Sequence, residues 1–156
     1  MDKKVIITLS IVSIMPYLCA TTKDVKNMAE RRAVQVSNAP KAIGPYSQAI
    51  KVTHAQEILF ISGQLPVVAE TGILVAEPAE ATRQCMRNLA AILNEAGMDF
   101  SNVVETMILL KNIEDFPLVN QAYASFLQEP YPARATFQVG ALPRDASVEI
   151  KMTAVK

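Results

Sequence analysis

Tyr131-Pro-Ala-Arg-Ala-Thr-Phe-Gln-Val-Gly-Ala-Leu-Pro-Arg-Asp-Ala-Ser-Val-Glu-Ile150 is the stretch whose reading decides the fold. From Ala133 to Val139 it alternates with a period of two: Arg134, Thr136 and Gln138 share one face, and Ala135, Phe137 and Val139 take the other. A second alternating run, Val148 to Val155, sets Val148, Ile150, Met152 and Ala154 against Glu149, Lys151 and Thr153. Two such runs in succession read as neighbouring strands, and Glu149 suits a hairpin partner of the strand that carries Arg134. Arg134 starts its strand just after the rigid Pro132, so its guanidinium can present a fork to a carboxylate with little freedom left to lose. A surface ion pair between Arg134 and Glu149, worth little, fits the same spacing equally well.

Further towards the N-terminus the periodicity changes. Asp115-Phe116-Pro117 opens a helix with Val119, Ala122, Tyr123 and Phe126 on one face, closed by Pro130 and Pro132. Val103 to Leu110 is apolar and β-branched, the composition of a buried strand. Ala81, Cys85, Leu89, Ile92, Leu93 and Ala96 recur at helical spacing, and Gly97 stands where a helix would stop. Val67 to Val75, with Thr71-Gly72 inside it, reads as a loop or a loose pair of extended segments. Three short strands precede it, at Ala33–Val36, Gln48–Thr53 and Glu57–Ser62, the last two predicted to form a hairpin through Thr53-His54-Ala55-Gln56. The order β-β-β-α-β-α-β-β predicts an α+β fold, a sheet with two helices on one face. Apolar residues occupy both faces of several strands, so the uncovered face calls for a second copy of the chain.

Composition narrows the chemistry. The 156 residues suit one domain, and 51% hydrophobic with 19% charged residues excludes disorder for most of them. The first 27 residues hold four bases (Lys3, Lys4, Lys23, Lys26) and two acids (Asp2, Asp24); Met28 to Lys156 is left with 11 bases against 13 acids, a net charge of −2. That balance argues against nucleic acid as a partner, since such binding relies on Lys and Arg neutralising phosphates. Two Cys and one His exclude a Cys/His zinc site or a disulfide framework. His54 falls in a predicted turn, and Cys85 on an apolar helix stripe reads as a structural thiol. The five glycines are scattered singly, which excludes a Gly-rich phosphate loop.

Residues 1–20 read as a signal peptide: Lys3 and Lys4, an eleven-residue apolar run from Val5 to Met15, then Ala20 at a candidate cut. The run is too short for a membrane span, which needs roughly 20 residues. Residues 21–32 read as a flexible lead-in and residues 33–156 as the single domain. Cleavage after Ala20 predicts an exported, periplasmic protein; initiation at Met28 predicts a cytoplasmic one.

Three separated stretches, Asn38-Ala-Pro-Lys-Ala-Ile-Gly-Pro-Tyr-Ser-Gln-Ala49, Ile61-Ser-Gly-Gln-Leu-Pro66 and Pro132–Ile150, together resemble the RidA/YjgF family of reactive-intermediate deaminases. The resemblance runs from about Val34 to Val155. It implies a chorismate-mutase-like α+β fold, assembled as a homotrimer around a central barrel with sites between subunits. It implies hydrolysis of small 2-imino acids or their enamines, such as 2-aminoacrylate and 2-aminocrotonate, to 2-keto acids and ammonia. Neither a cofactor nor a metal is implied. Such intermediates leak from pyridoxal-phosphate enzymes and damage others.

By the same resemblance Arg134 matches the arginine that clamps the substrate carboxylate, and Glu149 the acid that orients water. Tyr46, Ser62, Gly63 and Asn120 match positions lining the cleft. Two residues depart from the pattern. Thr136 stands where many relatives carry Cys, though its backbone N–H can still reach a carboxylate, and Lys151 stands where an acid is common. Two competing readings are a trimer that binds small 2-keto or carboxylic acids without turnover, and an RNA-acting translation inhibitor.

Overall fold

A computed structural model describes residues 29–156. The predicted signal segment 1–20 lies outside the described residues, as does the lead-in up to residue 28. The elements in chain order are β1 (Glu30–Val34), β2 (Ala49–Thr53), β3 (Ile58–Gln64), α1 (Pro78–Glu95), β4 (Val103–Leu110), α2 (Phe116–Ala124), β5 (Ala133–Gln138) and β6 (Val148–Val155). This is the predicted α+β order. β1 starts three residues earlier than the alternation suggests, because Glu30, Arg31 and Arg32 pair with Thr53, Val52 and Lys51 of β2. Residues 30–32, predicted as part of the lead-in, therefore belong to a strand. Arg31 ties this strand down by donating to the carbonyls of Ser101 and Pro130.

Local chemistry accounts for the helix ends. Glu77 caps α1, its carboxylate accepting from the N–H of Ala79 at 3.0 Å and of Glu80 at 2.7 Å, and Pro78 follows at the first position. Gly97 ends the helix with φ 66°, a conformation glycine adopts without a Cβ clash. The periodic positions Ala81, Cys85, Leu89 and Leu93 are all buried, together with Met86. They pack on Ile108, Leu110, Val148, Ile150 and Met152 of the sheet in one apolar core. Among the described residues no helix is long and apolar enough to cross a membrane.

Two predicted hairpins are replaced by other pairings. β2 and β3 do flank a turn at His54, which has φ 60°, but they enter different sheets. β2 pairs with β1, while β3 pairs antiparallel with β6, from Ile58 opposite Val155 to Ile61 opposite Met152. After the turn the N–H groups of Gln56 and Glu57 donate to the Lys156 carbonyl at 2.7 and 2.8 Å, which draws the chain across to the C-terminal strand.

β5 and β6 are not hairpin partners either. The four-stranded sheet has the order β3-β6-β4-β5, with β4 parallel to β5 and antiparallel to β6. The connection from Val139 to Ser147 strides over the end of β4: Val139 N–H donates to the Leu110 carbonyl, and Lys111 N–H to the Ser147 carbonyl, each at 3.0 Å. β4 thus has a partner on both edges. Thr106 shares a row with Arg134 and Met152, and Leu109 shares one with Phe137 and Glu149. Successive rows face opposite sides of a sheet. Arg134 and Thr136 consequently lie on the helix-covered side and Glu149 on the open side, so neither the hairpin contact nor the Arg134–Glu149 ion pair forms within the subunit.

Two buried protons couple this core to alkaline pH. Burial, reinforced by the charge of Glu149, pushes the Cys85 thiol from 9.0 up to about 12. Burial likewise pushes the Tyr123 hydroxyl from 10.0 up to about 12, against the lowering effects of its hydrogen bond to Thr106 and of Arg134. Both groups hold their protons more tightly folded than unfolded, so unfolding releases protons between the two values and stability is lost as pH rises. The urea midpoint should fall as pH rises from about 9 towards 12. Tyr123→Phe should flatten the part of the slope above pH 10; the same slope in that variant would refute the assignment.

Candidate functional site

Arg134 is half-buried and surrounded by neutral groups. Its Nη1 donates to Asn120 Oδ1 at 2.9 Å. Three rings face the guanidinium carbon: Tyr123 at 5.2 Å, Tyr46 at 5.3 Å and Phe116 at 5.7 Å from their centroids. Each such contact contributes roughly 0.5–2 kcal/mol. The backbone of Gly44 closes the cage, so near that a Cβ there would lie 3.5 Å from Arg134 Nη2. Burial pulls the guanidinium below its ordinary value, opposed by the hydroxyls of Tyr123 and Tyr46, and an arginine remains cationic all the same. Among the described residues no carboxylate pairs with it. A desolvated cation with free N–H groups and no counter-charge is a site for a small carboxylate.

Local structure sets each wall. Phe116, Asn120 and Tyr123 come from α2, at spacings of four and three residues, so they form one stripe down the helix. Tyr123 is anchored by its hydroxyl, which donates to Thr106 Oγ1 at 3.0 Å across the core. Tyr46 sits in a loop held against the outer edge of β5. Ser47 N–H donates to the Pro132 carbonyl at 3.0 Å, and Ser47 Oγ donates to the Tyr131 carbonyl at 2.5 Å. Gln48 braces the loop's other limb by accepting from Val36 N–H at 2.7 Å and donating to the Pro40 carbonyl at 2.6 Å. Thr136 lies on the same face of β5, two residues beyond Arg134.

The remaining predicted residues form a second cluster. Between Ile61 and Gln64 the β3–β6 register shifts, leaving Ser62 and Gly63 in a bulge. A Cβ on Gly63 would collide with the carboxylate of Glu149. Glycine leaves room for the acid to lie directly over its backbone. Arg134, Asn120, Tyr46 and Thr136 thus assemble on one side of the sheet, and Glu149, Gly63 and Ser62 gather apart from them on β3 and β6. Phe116, Tyr123 and Gly44 were not predicted as site residues. The 116/120/123 spacing was the available signal, but two aromatics on a short helix read equally well as core.

Fold and site together define a class: an α+β subunit whose edge strand carries a caged, unpaired arginine beside a covering loop. Residues 36–156 match the family described as Endoribonuclease L-PSP. The chain is 42% identical over 127 residues to human 2-iminobutanoate/2-iminopropanoate deaminase, covering 81% of this chain and 90% of that one. The YjgF gene product of E. coli matches in structure with a TM-score of 0.62 and 36% identity, over 80% of this chain and 98% of that one. E. coli TdcF, solved with bound serine, matches with a TM-score of 0.62 and 32% identity, over 80% and 98%. The chain belongs to the RidA/YjgF family, and its fold is the chorismate-mutase-like fold of these relatives.

The Gly63 contact yields a separable prediction. Gly63→Ala should fold normally, because the atoms in its way are the end of a flexible side chain, but it should swing Glu149 aside. Turnover of a 2-imino acid should fall at least tenfold while the melting temperature moves little. Full activity in a folded Gly63→Ala protein would show that the position of Glu149 is immaterial.

Proposed function

We propose that the protein is a hydrolytic deaminase that converts small 2-imino acids, such as 2-iminobutanoate and 2-iminopropanoate, to 2-keto acids and ammonia. The observation that carries this reading is the cage around Arg134, which holds a cation among neutral partners only. The names of the curated relatives support it. Arg134 and the N–H of Thr136 take the substrate carboxylate, and this fixes the imine carbon. Water adds to that carbon, giving a carbinolamine; the proton taken from the water passes to its amine, the C–N bond breaks as the hydroxyl gives up its proton to form the keto group, and ammonia leaves. An iminium carbon is already electrophilic, so holding it and placing a water is most of the task. Glu149 orients that water and accepts its proton as general base.

Since Arg134 and Glu149 face opposite sides of one sheet, the complete site requires Glu149 from a neighbouring copy. The open face supports such an assembly. Ile58 and Phe60 of β3 and Phe137 of β5 are 58%, 74% and 50% exposed, large apolar side chains on strands with no helix over this face. We read the assembly as a homotrimer with sites between subunits. The net charge of −2 over Met28 to Lys156 counts against an RNA substrate.

Two measurements test this. With freshly generated 2-aminocrotonate, Arg134→Ala should lower kcat/KM by about ten- to a hundredfold, the equivalent of a charge-assisted contact of roughly 1.5–3 kcal/mol. Glu149→Gln should lower kcat more than it raises KM; a purely binding protein would tolerate it and show no turnover in the parent either. Light scattering on a sizing column should give three times the subunit mass. A stable monomer at micromolar concentration would contradict the shared site.

A further inference from the structure

The hydroxyl of Thr136 has no task in the chemistry above. Its Oγ1 is buried, and no hydrogen-bond partner for it exists among the described residues. An unpaired buried hydroxyl is unfavourable, so the group stands ready for any partner brought within reach. Thr136 also lines a cleft of about 380 Å³ with Ile113, Glu114, Phe116 and Pro117. Phe116 is shared between this cleft and the Arg134 cage, and Thr136 follows Arg134 on the same face of β5. The cleft therefore adjoins the arginine cage.

We propose that this cleft receives the side chain of the substrate, and that Thr136 Oγ1 reads a neutral hydrogen-bonding group on it. The inference rests on Arg134 holding the substrate carboxylate. A rotation about the Cα–Cβ bond carries the hydroxyl of a threonine to another staggered position without backbone movement, which is how Oγ1 would turn towards the cleft. A carboxylate held by Arg134 and the Thr136 N–H would set the substrate Cα beside Thr136, with its side chain free to extend into the cleft. Ile113, Phe116 and Pro117 give apolar walls for the methylenes between. A water's share of liquid is about 30 Å³, so a methyl group would leave most of the space unfilled. The charge of Glu114 beside the cleft disfavours an acidic side chain. The substrate class is a neutral 2-imino acid with a side chain of two to five heavy atoms ending in a hydroxyl or amide.

The test uses an isosteric pair generated in place by an amino-acid oxidase: 2-imino-4-hydroxybutanoate from homoserine and 2-iminopentanoate from norvaline. The ratio of their kcat/KM values should favour the hydroxylated imine in the wild type. Thr136→Val should lower that ratio by about five- to tenfold, the effect of one neutral hydrogen bond, and Thr136→Ser should restore it. If Thr136→Val does not assemble, Thr136→Ala is read in the same way. No preference in the wild type, or an unchanged ratio in an assembled Thr136→Val protein, overturns the subsite while leaving the deaminase reading intact. Wild-type turnover of both imines by Arg134→Ala overturns the carboxylate clamp, and the subsite falls with it.

Discussion

β4 holds the molecule in register. It is hydrogen-bonded along both edges, in parallel to β5 and antiparallel to β6, and its buried positions Thr106, Ile108 and Leu110 point to the helices. Every other placement follows from those rows. Arg134 is drawn beneath α2 because its row is that of Thr106, and Glu149 is sent to the far side because its row is that of Leu109. A slip of one residue in either ladder would exchange the two faces. The register is defended by burial: Ile108 and Ile150 share a row and are 1% and 0% exposed, so a slip would turn them out to the open face.

Around Arg134 the chain uses neutral groups to hold a charge. A carboxylate partner would satisfy the guanidinium and close the site to anions, whereas an amide oxygen and three ring faces steady it while its charge remains available. The aromatic residues also exclude water, which strengthens any interaction the cation makes with a small anion. Tyr123 serves two roles at once, since its ring faces the guanidinium and its hydroxyl crosses the core to Thr106. Core packing and site geometry are therefore the same set of contacts.

The open face and the divided site raise one question with one answer. Glu149 and the exposed Phe60 and Phe137 belong to the side of the sheet that no helix covers. In the proposed assembly the surface that buries those rings also brings an acid of one subunit to the arginine of the next. Folding, association and catalysis would then be linked, and an isolated subunit would hold the charge that binds without the acid that acts.

The sequence by itself determined the element order, the end of α1 at Gly97, the core stripe through Cys85, Leu89 and Leu93, and the candidates Arg134, Asn120, Tyr46 and Thr136 that the fold brings together. These depend on local chemistry: periodicity, caps, turn residues, and three motifs whose resemblance to one family spans nearly the whole domain. It also suggested a β5–β6 hairpin, because consecutive strands with a short connection ordinarily pair. Only the tertiary structure inserted β4 between them, moved β3 from β2 to β6, and divided the site between two faces. Pairing of this kind is decided by which strand offers the better buried row across distant segments. A period of two in one strand records which residues share a face, but not which partner that face will meet. The cage was partly legible for the same reason: the Phe116, Asn120 and Tyr123 spacing marks a stripe, while the arginine it would enclose lies on a different element and arrives there only through the fold.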